Sequence, residues 1–199
     1  MATPGELCSK TAELLGFPPN TTLIAWRALR EDGRVTTGGR GKSAAHCSPS
    51  DAANLLIATI GKLPLQSSLK SWERFAGLTR TRIREARRQY TTREVGVISA
   101  LKQGRSFQEG LTALITAAMS GSLQELPNPP SIQVNFHGPL PNASIRLEGH
   151  ISIWIFYDDA PKGSDLEPNQ DGDLQQSVDI SGKTILGLGE FIRRSGSSN

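Results

Sequence analysis

Residues 33–47 read GRVTTGGRGKSAAHC, and the way this stretch folds decides what the first half of the chain is. Two short pieces of extended character, RVTT at 34–37 and SAAHC at 43–47, flank a glycine-rich tip. Glycine supplies the positive backbone angles of tight turns, so the composition predicts a small β-hairpin over about 34–47, with Arg40 and Lys42 at its tip. The same letters half-match a phosphate-binding loop. Gly41, Lys42 and Ser43 close the pattern G-x-x-x-x-G-K-[ST], but Thr36 stands where its first glycine belongs. A phosphate loop follows a buried strand and opens a helix directly. This stretch follows ALREDGRV, and the next helix cap, Ser48, comes five residues after Ser43. No apolar strand ending in aspartate follows to hold Mg²⁺. A nucleotide hydrolase with a degenerate loop therefore ranks third among the readings, and the chain is expected not to be an enzyme.

Upstream of the hairpin, Thr3, Pro4 and Glu6 form a complete helix start, and Gly16 ends that helix. Asn20 is expected to cap a second helix running to about Glu31, where Arg27, Arg30 and Arg34 recur at helical spacing and make a basic edge. Downstream, Ser48, Pro49 and Asp51 repeat the cap, and Ala52 to Ile60 is apolar enough for a buried helix. Three more helices are predicted, over about 69–76, 79–90 and 92–103. The middle one would carry Arg80, Arg84, Arg87 and Arg88 on one face. Ser106 and Glu109 cap another helix, ended by Gly121, so the helices beyond the hairpin run from about 69 to 120.

LPNPPS at 126–131 cannot continue a helix and marks a boundary. Beyond it the pattern changes to strands, SIQVNF at 131–136 and HISIWIFY at 150–157, separated by the turn-rich HGPLPNAS. After a polar insert at 158–176 come a short strand, SVDIS, and a last helix over about 183–194. The fold class expected is α+β: a mainly helical domain at 1–126 containing the small hairpin, then a compact β-rich α+β domain at 131–199. Trp26, Trp72 and Trp154 are assigned to core packing.

Charge divides the same way. Residues 1–105 hold 17 Lys and Arg against 8 Asp and Glu, a net +9, whereas residues 106–199 hold 5 against 11, a net −6. A basic first half suits a polyanion, since arginines that neutralise backbone phosphates release counterions. Cys8 and Cys47 are too few for a disulfide framework, no run is long enough to span a membrane, and no signal architecture opens the chain, so a cytoplasmic protein with no membrane partner is expected. His46 beside Cys47 lacks zinc spacing, and EPNQDGD has Val178 where a calcium loop needs its bidentate glutamate, so neither a metal nor a cofactor is expected.

Helix, helix, then a basic glycine-tipped hairpin resembles the winged-helix and helix-turn-helix DNA-binding proteins over residues 3 to about 60. That family implies a helix in the major groove and a wing whose Arg or Lys touches phosphates or the minor groove. The sequence therefore leads to a duplex-DNA-binding transcriptional regulator, contacting DNA through Arg27, Arg30, Arg34, Arg40, Lys42, Arg80, Arg84, Arg87 and Arg88. The base-reading helix is expected either at 21–30 or at 79–90. Residues 131–199 would serve self-association or a protein partner. The second reading is a non-enzymatic assembly protein whose basic half docks on an acidic surface.

Overall fold

The structure is a computed structural model that describes residues 2–38, 46–60, 67–86, 91–126, 128–138, 140–159 and 176–196. Among the described residues four helices start on a reciprocal cap, in which two residues three apart each accept with a side chain from the other's main-chain N–H; one of the four pairs is Ser48 with Asp51. Helix α1, Pro4–Leu15, opens with Thr3 Oγ1 accepting from the Glu6 N–H, while Glu6 Oε2 accepts from the Thr3 N–H at 2.9 Å; it ends on Gly16 at φ 69°. Thr91 with Glu94 opens α5, Thr92–Gln103, and Ser106 with Glu109 opens α6, Phe107–Met119. Helix α2, Pro19–Glu31, differs from expectation at its start. Asn20 lies inside the first turn and does not cap it; Pro18 holds the cap position without any side-chain bond, and Pro19 presets the helical φ.

Helix α3, Pro49–Ile60, is buried at every residue from Asp51 to Ile60, as its all-round apolarity requires. It packs against α2, α6 and α4, Ser68–Ala76.

The segment expected to be a basic helix at 79–90 is instead strand β1, Thr79–Glu85; positions 87–90 lie outside the described residues. Thr79, Thr81 and Ile83 are β-branched, and TRTRIRE satisfies a period of two as well as one of 3.6. A partner strand decided between them. β1 pairs antiparallel with β4, Ile153–Asp158, through Arg82 opposite Phe156 and Arg84 opposite Trp154, with a bulge at Thr81. The remaining strands are β2, Ser131–Gly138, β3, Asn142–Glu148, and β5, Gln176–Ser181, and the sheet runs β1-β4-β3-β2-β5, antiparallel throughout. β3 begins inside HGPLPNAS, where the composition predicts a turn. Helix α7, Gly182–Gly196, follows β5 and packs on α6 and α1.

Contacts cross the boundary expected at 127–130. β1 precedes that boundary in sequence yet completes its hydrogen bonds on β4, which follows it. Phe75 of α4 and Phe107 of α6 both meet Phe136 of β2 edge-on, at 5.4 and 5.2 Å between ring centres, and Phe107 meets Tyr157 of β4 at 5.3 Å. One buried cluster therefore joins helices from the first half to the sheet of the second. Its helices cover a single face of the sheet, the side of Ile132, Val134, Phe136, Ile145, Leu147, Ile153 and Ile155.

Candidate nucleic-acid interface

Between α1 and α2 lie only three residues, Gly16, Phe17 and Pro18. Gly16 takes the left-handed conformation that reverses the chain so quickly, a backbone angle that costs a side-chain-bearing residue about 1 kcal/mol or more. The two helices are then tied across the turn: Thr22 Oγ1 donates to the Cys8 carbonyl at 2.9 Å, and Cys8 Sγ donates to the Thr22 carbonyl at 3.8 Å. Burial pushes the Cys8 thiol up to about 11 and the Cys47 thiol up to about 12, so both stay protonated.

Helix α2 buries one stripe, Thr22, Ala25, Trp26 and Leu29, and turns the opposite one to solvent. That exposed stripe is Asn20, Ile24, Arg27, Arg30 and, at its carboxy-terminal end, Glu31. Ile24, 57 % exposed, stands on this stripe.

Arg34, expected to be a phosphate ligand, is held in place by its neighbours. Its Nε donates to Asp32 Oδ2 at 2.7 Å, its guanidinium lies 4.5 Å from the Trp72 ring centre, and its carbonyl accepts from Asn54 Nδ2 at 2.6 Å. Asn54 in turn accepts from Trp72 Nε1 at 2.9 Å, and Trp72 packs half-buried against the core as expected. Residues 34–38 and 46–48 take no part in the sheet, so the paired strand expected at RVTT is not formed there; positions 39–45, with Arg40 and Lys42, lie outside the described residues. Both flanks of the stretch are tied to one buried carboxylate. Asp51 accepts from the Thr36 N–H at 2.7 Å, the Thr36 hydroxyl at 3.0 Å, the Ser48 N–H at 2.7 Å and the Ser48 hydroxyl at 2.8 Å. The sequence marks Asp51 only as a cap partner, and nothing local to it foretells the bond to Thr36.

The other expected contacts separate. Arg80 is partly buried and donates to the carbonyls of Lys102 and Gly104, the latter at 3.1 Å, so it closes the end of α5. Arg84 stands on the outer face of the sheet, its guanidinium 5.6 Å from the Phe156 ring centre. Arg87 and Arg88 lie outside the described residues. Of the nine arginines and lysines, Arg27, Arg30 and Arg34 share α2 and its exit, while Arg80 and Arg84 belong to β1.

Among the described residues no group of three His, Cys, Asp or Glu side chains could hold a metal ion, and no helix is long and apolar enough to cross a membrane. Comparison of the chain with protein-family models, with curated proteins and with solved structures finds no match.

Proposed function

We propose that the chain binds duplex DNA and regulates transcription, with α1, the three-residue turn and α2 acting as a helix-turn-helix unit. The observation that carries this reading is the turn itself, Gly16 to Pro18, followed by a helix whose outward stripe is Asn20, Ile24, Arg27 and Arg30. In such a unit the second helix enters the major groove and its first turns meet base edges. Asn20 suits an adenine, Ile24 a thymine methyl, and Arg27 a guanine, while Arg30 and, beyond the helix in sequence, Arg40 and Lys42 suit phosphates. Because 79–85 is a strand, α2 is the reading helix in this proposal.

The nucleotide-hydrolase reading loses ground on two counts. The stretch follows helix α2 in place of a buried strand, and the Thr36 N–H, which would face a phosphate, is bonded to Asp51.

Titration against duplex DNA at several salt concentrations tests the proposal. Affinity should fall steeply as salt rises, and Arg27→Ala with Arg30→Ala should weaken binding and flatten the logarithmic salt slope by about 1 to 2. A flat slope, or a double variant that binds like the parent, would overturn it. Arg40→Ala with Lys42→Ala separates it from the assembly reading, which expects DNA affinity unchanged.

A further inference from the structure

The outer face of the sheet carries side chains that neither the core nor the helix-turn-helix proposal explains. Strand alternation and register place two rows across β1, β4 and β3: Arg84, Trp154 and Arg146 in one, and Arg82, Phe156 and Ser144 in the next. Trp154, expected in the core, and Phe156 lie half-buried on this face and stack on each other at 4.6 Å with 28° between the rings. Arg146 lies over Trp154 at 4.7 Å, whereas Arg84 stands farther off, 6.0 Å from Trp154 and 5.6 Å from Phe156. Two N–H donors in this cluster, Trp154 Nε1 and Arg146 Nε, are buried without an acceptor. A groove opens at each end of the aromatic pair. One, of 230 Å³, is lined by Arg84, Arg146, Trp154 and Ser152; the other, of 970 Å³, by Arg82, Asn142, Phe156 and Asp158.

We propose that this face binds single-stranded nucleic acid, with bases stacked on Trp154 and Phe156 and phosphates met by Arg82, Arg84 and Arg146. Flat aromatic surfaces interleaved with arginines are the means by which unpaired strands are held, because every base offers a π-face and every linkage a charge. A duplex cannot use the aromatic pair, since its bases are stacked on one another. A second copy of the same face would set three arginines against three. Of the carboxylates lining the two grooves, Glu148 is paired with Arg146 and Glu85 with Lys102, while Asp158 and Asp159 line the larger groove at the end of β4. Arg84 sits near the outer limit of a cation–π contact, so a base can enter over the rings while the guanidinium moves out to a phosphate.

This site is independent of α2, and the experiment keeps the two apart. A fluorescently labelled oligothymidylate, its uridine counterpart and a duplex are titrated with the full chain at low salt. Arg82→Ala with Arg84→Ala should weaken the single strands at least fivefold and leave the duplex unchanged, and Phe156→Leu should do the same. Arg27→Ala with Arg30→Ala should leave the single strands unchanged. A preference between the thymidylate and the uridylate assigns the site to DNA or RNA, and either supports it. No single-strand binding, or binding untouched by the sheet variants, or binding lost in the α2 variant, overturns it. Both arginines are exposed, so their removal tests the site even where an aromatic substitution upsets the fold.

Discussion

Asp51→Ala removes one side chain that holds both ends of the basic stretch. In the parent, four donors converge on a carboxylate that is 2 % exposed: two from Thr36, two from Ser48. The Ser48 pair closes the cap of α3, and losing a cap of this kind costs about 1 kcal/mol. Bonds to a charged acceptor contribute about 1.5 to 3 kcal/mol each when dry. Thr36 is exposed, however, so water takes over part of what it loses, and its two bonds together are set at about 2 to 3 kcal/mol. The expected loss is therefore about 3 to 4 kcal/mol, a large share of the roughly 5 to 15 kcal/mol that holds a domain folded. Urea unfolding measures it by linear extrapolation. Asp51→Asn keeps the shape and one acceptor, and should cost about half as much. A cycle with Thr36→Val should return a coupling of about 1 kcal/mol. If Asp51→Ala costs less than about 1 kcal/mol, or if the cycle shows no coupling, the carboxylate does not bind the two flanks together and the reasoning fails.

Three other outcomes are expected. Gly189→Ala should destabilise by about 1 to 3 kcal/mol in the same assay, because the new Cβ would lie 2.6 Å from the main chain of Ala118 and Met119, whereas Gly187→Ala meets only the end of Leu14 and should cost less. Alkylation of Cys8 and Cys47 at about pH 8 should be far slower in the folded chain than in urea, since burial raises both thiols; ready labelling of the native protein would contradict this. Glu94 is held below the ordinary 4.5 chiefly by the Thr91 N–H, then by the Thr91 hydroxyl and by His150 at 3.4 Å, against the opposing effect of burial. A lowered carboxylate stabilises the fold fully above its ordinary value and loses that contribution as pH falls through the folded one. Thermal melts between about pH 5 and 3 should therefore decline less steeply in Glu94→Gln than in the parent.

The starts of α1 and α6 were legible because a cap joins residues three apart, and Thr3 with Glu6 or Ser106 with Glu109 need nothing else, whereas the start of α2 was not. β1 was not, because TRTRIRE fits two periods and only β4, some seventy residues on, chooses. Nor could I-W-I-F-Y at 153–157 say which of its faces is wet, since both are apolar; the helices settled that by covering Ile153, Ile155 and Tyr157. Of the site, Arg27 and Arg30 were readable from helical spacing within one element. The role of Arg80 was not, because its acceptors are 22 and 24 residues away.

The charge division along the chain also changes meaning once it is placed in space. The acidic second half contributes Arg146 to the same face as Arg82 and Arg84 of the basic half. Several of its carboxylates are engaged close to home: Glu148 with Arg146, Glu190 with Arg194, Asp179 with Asn135, and Glu109 in the cap of α6. Arg34 and Arg80 of the basic half are likewise engaged. Arg27 and Arg30 differ, since among the described residues neither makes an ion pair and both are exposed on one stripe of α2. Charge that is paired locally projects little field beyond about a Debye length, roughly 8 to 10 Å at ordinary salt. The field that a distant polyanion meets is therefore set by the unpaired arginines and not by the totals of +9 and −6. That makes Arg27 and Arg30, more than the sum over the first half, the residues on which the DNA proposal stands.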